Sequence, residues 1–309
     1  MPKISIIVPN YNHAPYLEMR LRSVFEQSFA DTEIILLDDC STDGSVDILA
    51  RYRQHPKVTH CLFNQANSGS TFRQWGRGVG CATGDYIWIA ESDDVADLQF
   101  LAQLSGVLDA HPNVGLAYCQ SLKIDAAGGT IGSWKDQTDR IPGNPWRNSF
   151  VATGQRMLRD FFLFHNVVPN ASAVLWRRNC LVADVLRNAA GYTINGDWYV
   201  WSNILLAADL AFVNQNWNCC RFHLQKGSAP NIRNFNNIVE FYRLRGFLYD
   251  ALGLSDTERR ALNAGLFQLW TAQRRSMGLA KNAPETLKVL AAAESVDPTV
   301  RARLAAAEM

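Results

Sequence analysis

Apolar and polar positions follow two alternating rhythms along the first third of the chain. Ile4 to Val8 is a continuous apolar run closed by Pro9 and Asn10, the pattern of a strand buried on both faces. Leu17, Leu21, Val24, Phe25 and Ser28 then recur at helical spacing behind Pro15, which suits a first helical turn. The alternation continues with a Glu33 to Leu37 strand, an Asp43 to Arg53 helix and a Val58 to Phe63 strand. A glycine-rich stretch with a helical middle, Asn67 to Ala82, leads to a fourth strand, Tyr86 to Ala90. Leu98, Leu101, Ser105 and Leu108 mark another helix before a Val114 to Cys119 strand. Strands alternating with helices predict an α/β fold, a Rossmann-like, mostly parallel open sheet with helices on both faces. Ligands of such sheets gather at the carboxyl ends of the strands. Asp39, Asp93 and Asp94 stand at two of those ends.

The pattern loosens further on. Asp125 to Gly129 reads as a hairpin turn, and Trp134 to Ser149, rich in Pro, Gly and Asn, as a long loop of the kind that carries function. Gln155 to Phe164 is helix-like, Ala171 to Trp176 strand-like and Trp198 to Ala207 helix-like. Composition shifts near Pro230, which separates residues 1–230 from a helical region, 231–309. There Leu262, Leu266, Leu269 and Trp270 share one helical face, and Pro284 and Pro298 divide short helices.

Composition narrows the function classes. With 30 Lys+Arg against 29 Asp+Glu, the net charge of +1 lacks the basic footprint of a nucleic-acid binder. A hydrophobic content of 48% excludes a disordered chain. No uncharged apolar run approaches the ~18 residues of a membrane span. The N-terminus turns polar at Asn10, too early for a secretory signal. Seven cysteines without a CxxC pair support neither structural zinc nor a disulfide framework. The expectation is a soluble, cytoplasmic protein.

Candidate chemistry sits at the strand ends. Asp38-Asp39-Cys40-Ser41-Thr42-Asp43 follows the second strand, and helix capping accounts for Asp43 but does not require two adjacent carboxylates. A carboxylate there can accept from a uracil-like N–H or a ribose hydroxyl. Glu91-Ser92-Asp93-Asp94 gathers three acids within four residues, which repel one another unless something positive arrives. A divalent cation bridging a diphosphate would supply that charge, and Mg²⁺ commonly takes only one or two protein carboxylates. Gly69, Gly76, Gly78 and Gly80 do not spell G-x-G-x-x-G, which argues against a dinucleotide site. Arg73 and Arg77 are four apart and can face one anion, although Arg77 reads better as a solvated helix face. Asp197 opens an apolar helix, where an N-cap is the commoner local role. Arg221 and His223 fall on one side of a strand end, placed to meet a diphosphate or simply to serve the structure.

Together, Ile4 to Asn12, Leu37 to Ser45, Asn67-Ser68-Gly69 and Gly84 to Asp94 resemble the ordered motifs of the family 2 glycosyltransferases, nucleotide-sugar-dependent enzymes of the GT-A fold. The resemblance covers residues 3 to about 120 well and Asn170 to Ser228 more loosely. It implies a GT-A catalytic domain over 1–230, with a nucleotide-binding half to residue 120 and an acceptor-side half after it. Pro9, Tyr11, Asn12, Asn67 and Arg73 would belong to the nucleotide site, with Asp39 on base or ribose. Asp93 would face a divalent metal, Mn²⁺ or Mg²⁺, while Glu91, Asp94, Arg221 and His223 would surround the diphosphate and acceptor. Asp197 matches the general base of an inverting transfer from a nucleotide-diphosphate sugar to a saccharide or lipid-linked saccharide acceptor. Three departures stand out: Cys40 where the turn usually has Gly, Glu91 at the first Asp-x-Asp position, and Gly196 where Glu commonly precedes the base.

Two other readings compete. A sugar-phosphate nucleotidyltransferase would carry a Gly-rich, Arg-containing loop after the first strand, where this chain has Pro9 to His13. A binding module without turnover would not need Asp93, Asp94 and Asp197 together. Trp134, Trp146, His165 and Asn170 lie in segments expected to shape the acceptor side. The C-terminal helices are expected to pack on the catalytic domain or on a second copy. Arg259-Arg260 and Arg274-Arg275 offer a rival role at an anionic membrane surface.

Overall fold

A computed structural model of the protein describes residues 3–168, 170–223, 235–276, 278, 280, 282–300 and 302. It divides into two compact units, Met1–Gly191 with Gly196–Leu224, and Tyr192–Asn195 with Gln225–Met309.

The first unit is built on a sheet that is ten-stranded among the described residues. Its parallel part contains β1 (Ile4–Asn10), β2 (Thr32–Asp38), β3 (Val58–Phe63) and β4 (Tyr86–Ile89), in the order β3-β2-β1-β4. The helices α1 (Ala14–Phe25), α2 (Ser45–Tyr52) and α3 (Thr71–Cys81) connect these strands. Continuous apolar runs made the strands legible because both faces are covered: Ile4, Ile6, Ile7 and Val8 all have 0% exposure. One face packs on Leu17, Leu21 and Val24 of α1 and on Phe100, Leu101, Leu104 and Leu108 of α4 (Phe100–Ala110). On the other, Gly78 of α3 lies so close to β1 that a Cβ there would sit 2.3 Å from Ile7 Cγ2. Within the glycine-rich stretch, Gly78 is the position that close helix packing requires.

The parallel order then ends. Two-residue β5 (Val95–Ala96) lies at the far edge, and β6 (Val114–Ile124) pairs with the hairpin strand β7 (Thr130–Ser133) through the turn expected at Asp125 to Gly129. β9 (Val174–Arg177) runs antiparallel to both β4 and β6. The strand-like reading of Ala171 to Trp176 holds only from Val174, because Ala171–Ala173 forms a helical turn that Asn170 caps. β10 (Asp209–Arg221) runs parallel to β6 and antiparallel to β5 and to β8 (Phe150–Ala152). Register shifts around Val213 to Asn218 break its alternation, which is why thirteen residues of strand gave a weak sequence signal. The unit also contains the helices α5 (Ala183–Ala189) and α6 (Gly196–Ala207), besides single-turn helices at Lys135–Thr138 and Gly154–Met157.

The second unit contains α7 (Asn236–Ala251), α8 (Asp256–Ser276) and α9 (Pro284–Glu294), the last starting at one of the expected prolines. Trp270 is 1% exposed, so that part of the expected apolar face is buried; the side chains of Leu266 and Leu269 lie outside the described residues. Arg259 pairs with Asp250 at 2.9 Å, and Arg274 is buried, which leaves Arg260 and Arg275 as the exposed members of the two arginine pairs. The buried Glu240 carboxylate of α7 accepts from Thr193 N and Oγ1 at 2.6 Å each, from Ile194 N at 3.0 Å and from Asn195 N at 2.9 Å. No described helix is long and apolar enough to cross a membrane.

Candidate active site

The loops at the carboxyl ends of β1, β2 and β3 form one hydrogen-bonded network. Asp38 organises the turn after β2, accepting from Ser41 N (2.8 Å), Ser41 Oγ (2.6 Å) and Asn10 Nδ2 (2.8 Å). Asn12 joins the first two loops, its backbone N–H donating to Ser41 Oγ and its Oδ1 accepting from Thr42 N. Cys40 carries φ +66°, the left-handed conformation that glycine adopts without penalty, which accounts for the glycine usual in this turn. Asp43 accepts from Ser45 and from the backbone N–H of Ala14; burial raises its pKa, but those bonds outweigh it and hold the carboxyl below its usual range.

Asp39 is more committed than its place at a strand end suggested. Its Oδ1 accepts from Asn64 Nδ2, Ser68 N and Gln74 Nε2, and its Oδ2 from Ser68 Oγ. Asn67 Nδ2 donates to the Asp39 carbonyl at 3.0 Å, and Arg73 donates to the Ser68 carbonyl at 3.1 Å. The carboxylate therefore shapes the Asn64 to Ser70 loop, and Oδ2 has the spare acceptor capacity. Pro9 is buried in β1 opposite Leu37, whereas Tyr11 is 47% exposed, a ring available for stacking.

The acidic cluster after β4 already has positive company. Arg20, at 0% exposure, donates to the Glu91 carbonyl and to Ser172 Oγ, both at 2.9 Å, and stacks 4.9 Å from the Trp88 ring centre. Burial lowers its pKa to about 10, against the pull of Asp94, Asp93 and Glu91. Arg221, 1% exposed, spends its guanidinium on the carbonyls of Asp93, Asp125 and Ala126, and its backbone N–H on Asp94 Oδ1 at 2.9 Å. Arg221, expected near the diphosphate, has its donors turned to protein carbonyls, because β10 brings it directly behind the acidic turn. The partly buried Glu91 accepts from Trp75 Nε1 at 2.8 Å. Burial and Asp93 push its carboxyl up to about 8, more than the Trp75 bond and Arg20 pull it down.

His223, by contrast, meets a carboxylate of the acidic turn. Its Nε2 lies 3.1 Å from Asp93 Oδ2, and its Nδ1 is buried with no partner among the described residues. His13, which the motif reading passed over, comes from the β1–α1 loop, with Nδ1 2.8 Å from Ser92 Oγ. His13, Asp93 and His223 each offer a ligand atom, all within 4.8 Å of one another. Two imidazoles and a carboxylate suit a first-row divalent cation, and the unpartnered His223 nitrogen leaves the ring a second valence to satisfy. His13 could have been found from its position next to the motif residue Asn12. Arg20 had a signal too: it falls between Leu17 and Leu21, in phase with the buried face of α1.

Asp197 lies in the first turn of α6, one residue inside the helix that begins at Gly196, which corrects the N-cap reading. Its Oδ1 accepts from Trp198 N at 2.6 Å and its Oδ2 from Asn166 Nδ2 at 3.2 Å. Gly196 has a steric reason to be glycine, since a Cβ there would sit 2.5 Å from the Phe72 ring. Gly196→Ala is expected to destabilise the protein by about 1–3 kcal/mol. Phe72→Leu in the same chain should recover part of that loss, which urea unfolding of the single and double variants measures.

Glycosyl transferase family 2 matches residues 5–170, more than half of the chain. The chain belongs to glycosyl transferase family 2. Relatives of this family 2 chain include TuaG of Bacillus subtilis (strain 168), a proposed teichuronic acid biosynthesis glycosyltransferase, 38% identical over 93 residues. That stretch is 30% of this chain and 36% of TuaG. The poly(ribitol-phosphate) beta-N-acetylglucosaminyltransferase TarS of Staphylococcus aureus is 32% identical over 115 residues, 36% of this chain and 20% of TarS. The chain thus spans well under half the length of these curated relatives. In three dimensions it is similar to S. aureus TarS 1–349 in complex with UDP-GlcNAc, at 17% identity and a TM-score of 0.69, covering 97% of this chain and 83% of that one. The GT-A fold follows, with the sheet as its core and helices at the C-terminus.

Proposed function

We propose that this chain is a metal-dependent, inverting glycosyltransferase that moves a sugar from a nucleotide-diphosphate donor to an acceptor hydroxyl. The observation that carries the reading is the Asp93, His223 and His13 cluster at the carboxyl end of β4, in a chain of this family. A divalent cation held there would neutralise charge on the departing diphosphate. Tyr11 and Asp39 Oδ2 would meet base and ribose. Asp197, oriented by Asn166 and Trp198 N, takes the proton of the acceptor hydroxyl as it attacks. One base and one displacement give inversion at the anomeric carbon.

The names of TuaG and TarS support a place in cell-surface polysaccharide or glycoconjugate synthesis; that this chain works on the cytoplasmic side is part of the proposal. Contact with a membrane or a second copy would fall to the helical region, where Arg260 and Arg275 are exposed. The test is a panel of nucleotide sugars with Mn²⁺ or Mg²⁺ and a simple saccharide acceptor. Metal-dependent release of nucleoside diphosphate with an inverted anomeric proton by NMR is the expected result. Pyrophosphate release, or retention of configuration, overturns it.

A further inference from the structure

A cavity of about 320 Å³ lies between β6, the Trp134 to Arg147 loop and the segment around Asn166. This is the lower end of the size range for small-molecule sites, room for about one sugar ring. Its place is fixed by Asn166, which lines it and also donates to Asp197 Oδ2 at 3.2 Å. The wall has a marked chemical bias. No carboxylate lines it, and three of its acceptors are already engaged: Gln120 Oε1 by Ser121 N, Asn166 Oδ1 by Val168 N, and the Tyr118 hydroxyl by the Trp146 indole. Three of its donor groups are not in use. Gln120 Nε2 and Trp134 Nε1 are buried without a partner, and the exposed Arg140 guanidinium has no hydrogen bond or ion pair among the described residues. A neutral sugar, whose hydroxyls donate as readily as they accept, suits such a wall poorly. A group that only accepts suits it well.

We infer that this cavity is the acceptor subsite and that it selects a sugar ring bearing an anionic group, a carboxylate or a phosphate ester, paired with Arg140. The inference rests on Asp197 being the base, since Asn166 ties the cavity to that residue. Trp134 contributes its buried N–H, and Gln120 a second donor.

The experiment is direct binding to the whole chain, without donor or metal, followed by saturation-transfer NMR and tryptophan fluorescence at low ionic strength. Its probes are methyl β-D-glucuronide, glucose 6-phosphate and methyl β-D-glucoside. At least one anionic probe should bind about tenfold or more tightly than the neutral glucoside; which one does so distinguishes a uronate from a phosphate ester. Arg140→Gln, at an exposed position, should level that preference, and Trp134→Phe should weaken the anionic probe while keeping an aromatic ring. Equal binding of the glucoside, a preference that survives Arg140→Gln, or no binding of any probe overturns the inference. Because binding is read without turnover, these outcomes are independent of whether Asp197 is the base. Loss of transfer in Asp197→Asn decides that separately.

Discussion

Asp197→Asn is expected to lower sugar transfer by roughly two to four orders of magnitude, the scale of a lost general base, with donor affinity unchanged. The geometry separates this effect from structural damage. Asn keeps an oxygen for Trp198 N, the 2.6 Å bond inside the first turn of α6. It loses the bond to Asn166 Nδ2, whose own oxygen is tied to Val168 N at 3.2 Å, so that amide cannot turn over without cost. It also removes a negative charge from a helix N-terminus, worth about 0.3–1 kcal/mol. The stability loss should therefore stay near 1 kcal/mol, measured by urea unfolding beside steady-state kinetics. Transfer close to the parent rate would leave Asp197 as a helix-terminal charge, and the base would have to be sought among the other acids, Asp94 first.

Asp93→Asn should weaken divalent-cation binding by more than the roughly 10–100-fold that losing an outer-shell partner costs, and transfer should fall with it. The fold should survive, because Arg221 grips the backbone carbonyl of residue 93 rather than its carboxylate, and Asn retains an oxygen for His223. Mn²⁺ binding followed by electron paramagnetic resonance reads the first effect without reference to turnover. A variant that binds Mn²⁺ and transfers sugar like the parent would remove Asp93 from the metal assignment.

The parallel half of the sheet was readable because β1, β2 and β4 are buried on both faces and so appear as unbroken apolar runs. β10 was hidden by its bulges, and β9 because half of its apolar run is a helical turn. Among the candidate site residues, spacing singled out Asp39, Asp93 and Asp197, since each stands where an element begins or ends. Spacing could not report what each side chain touches. Arg221 and His223 are two residues apart and both reach Asp93, yet one grips a carbonyl from 1% exposure and the other meets the carboxylate. That division depends on how β10 is seated beside the acidic turn, a long-range fact with no local signature. Arg20 is similar: the charge it balances lies about seventy positions away in sequence, at Glu91 to Asp94.

The Glu240 carboxylate bears on how the chain matures. Thr193, Ile194 and Asn195 stand immediately before the helix that carries Asp197, and four of their hydrogen-bond donors end on a residue some forty-five positions later. During synthesis at about 5–20 residues per second, the strands of the N-terminal half emerge and can pair early. The approach to Asp197 must wait for α7 before its N–H groups find their acceptor. Cutting the gene at the compositional boundary near residue 230 would leave those donors unmet in every molecule made, so the sheet could form while the loop leading to Asp197 never sets.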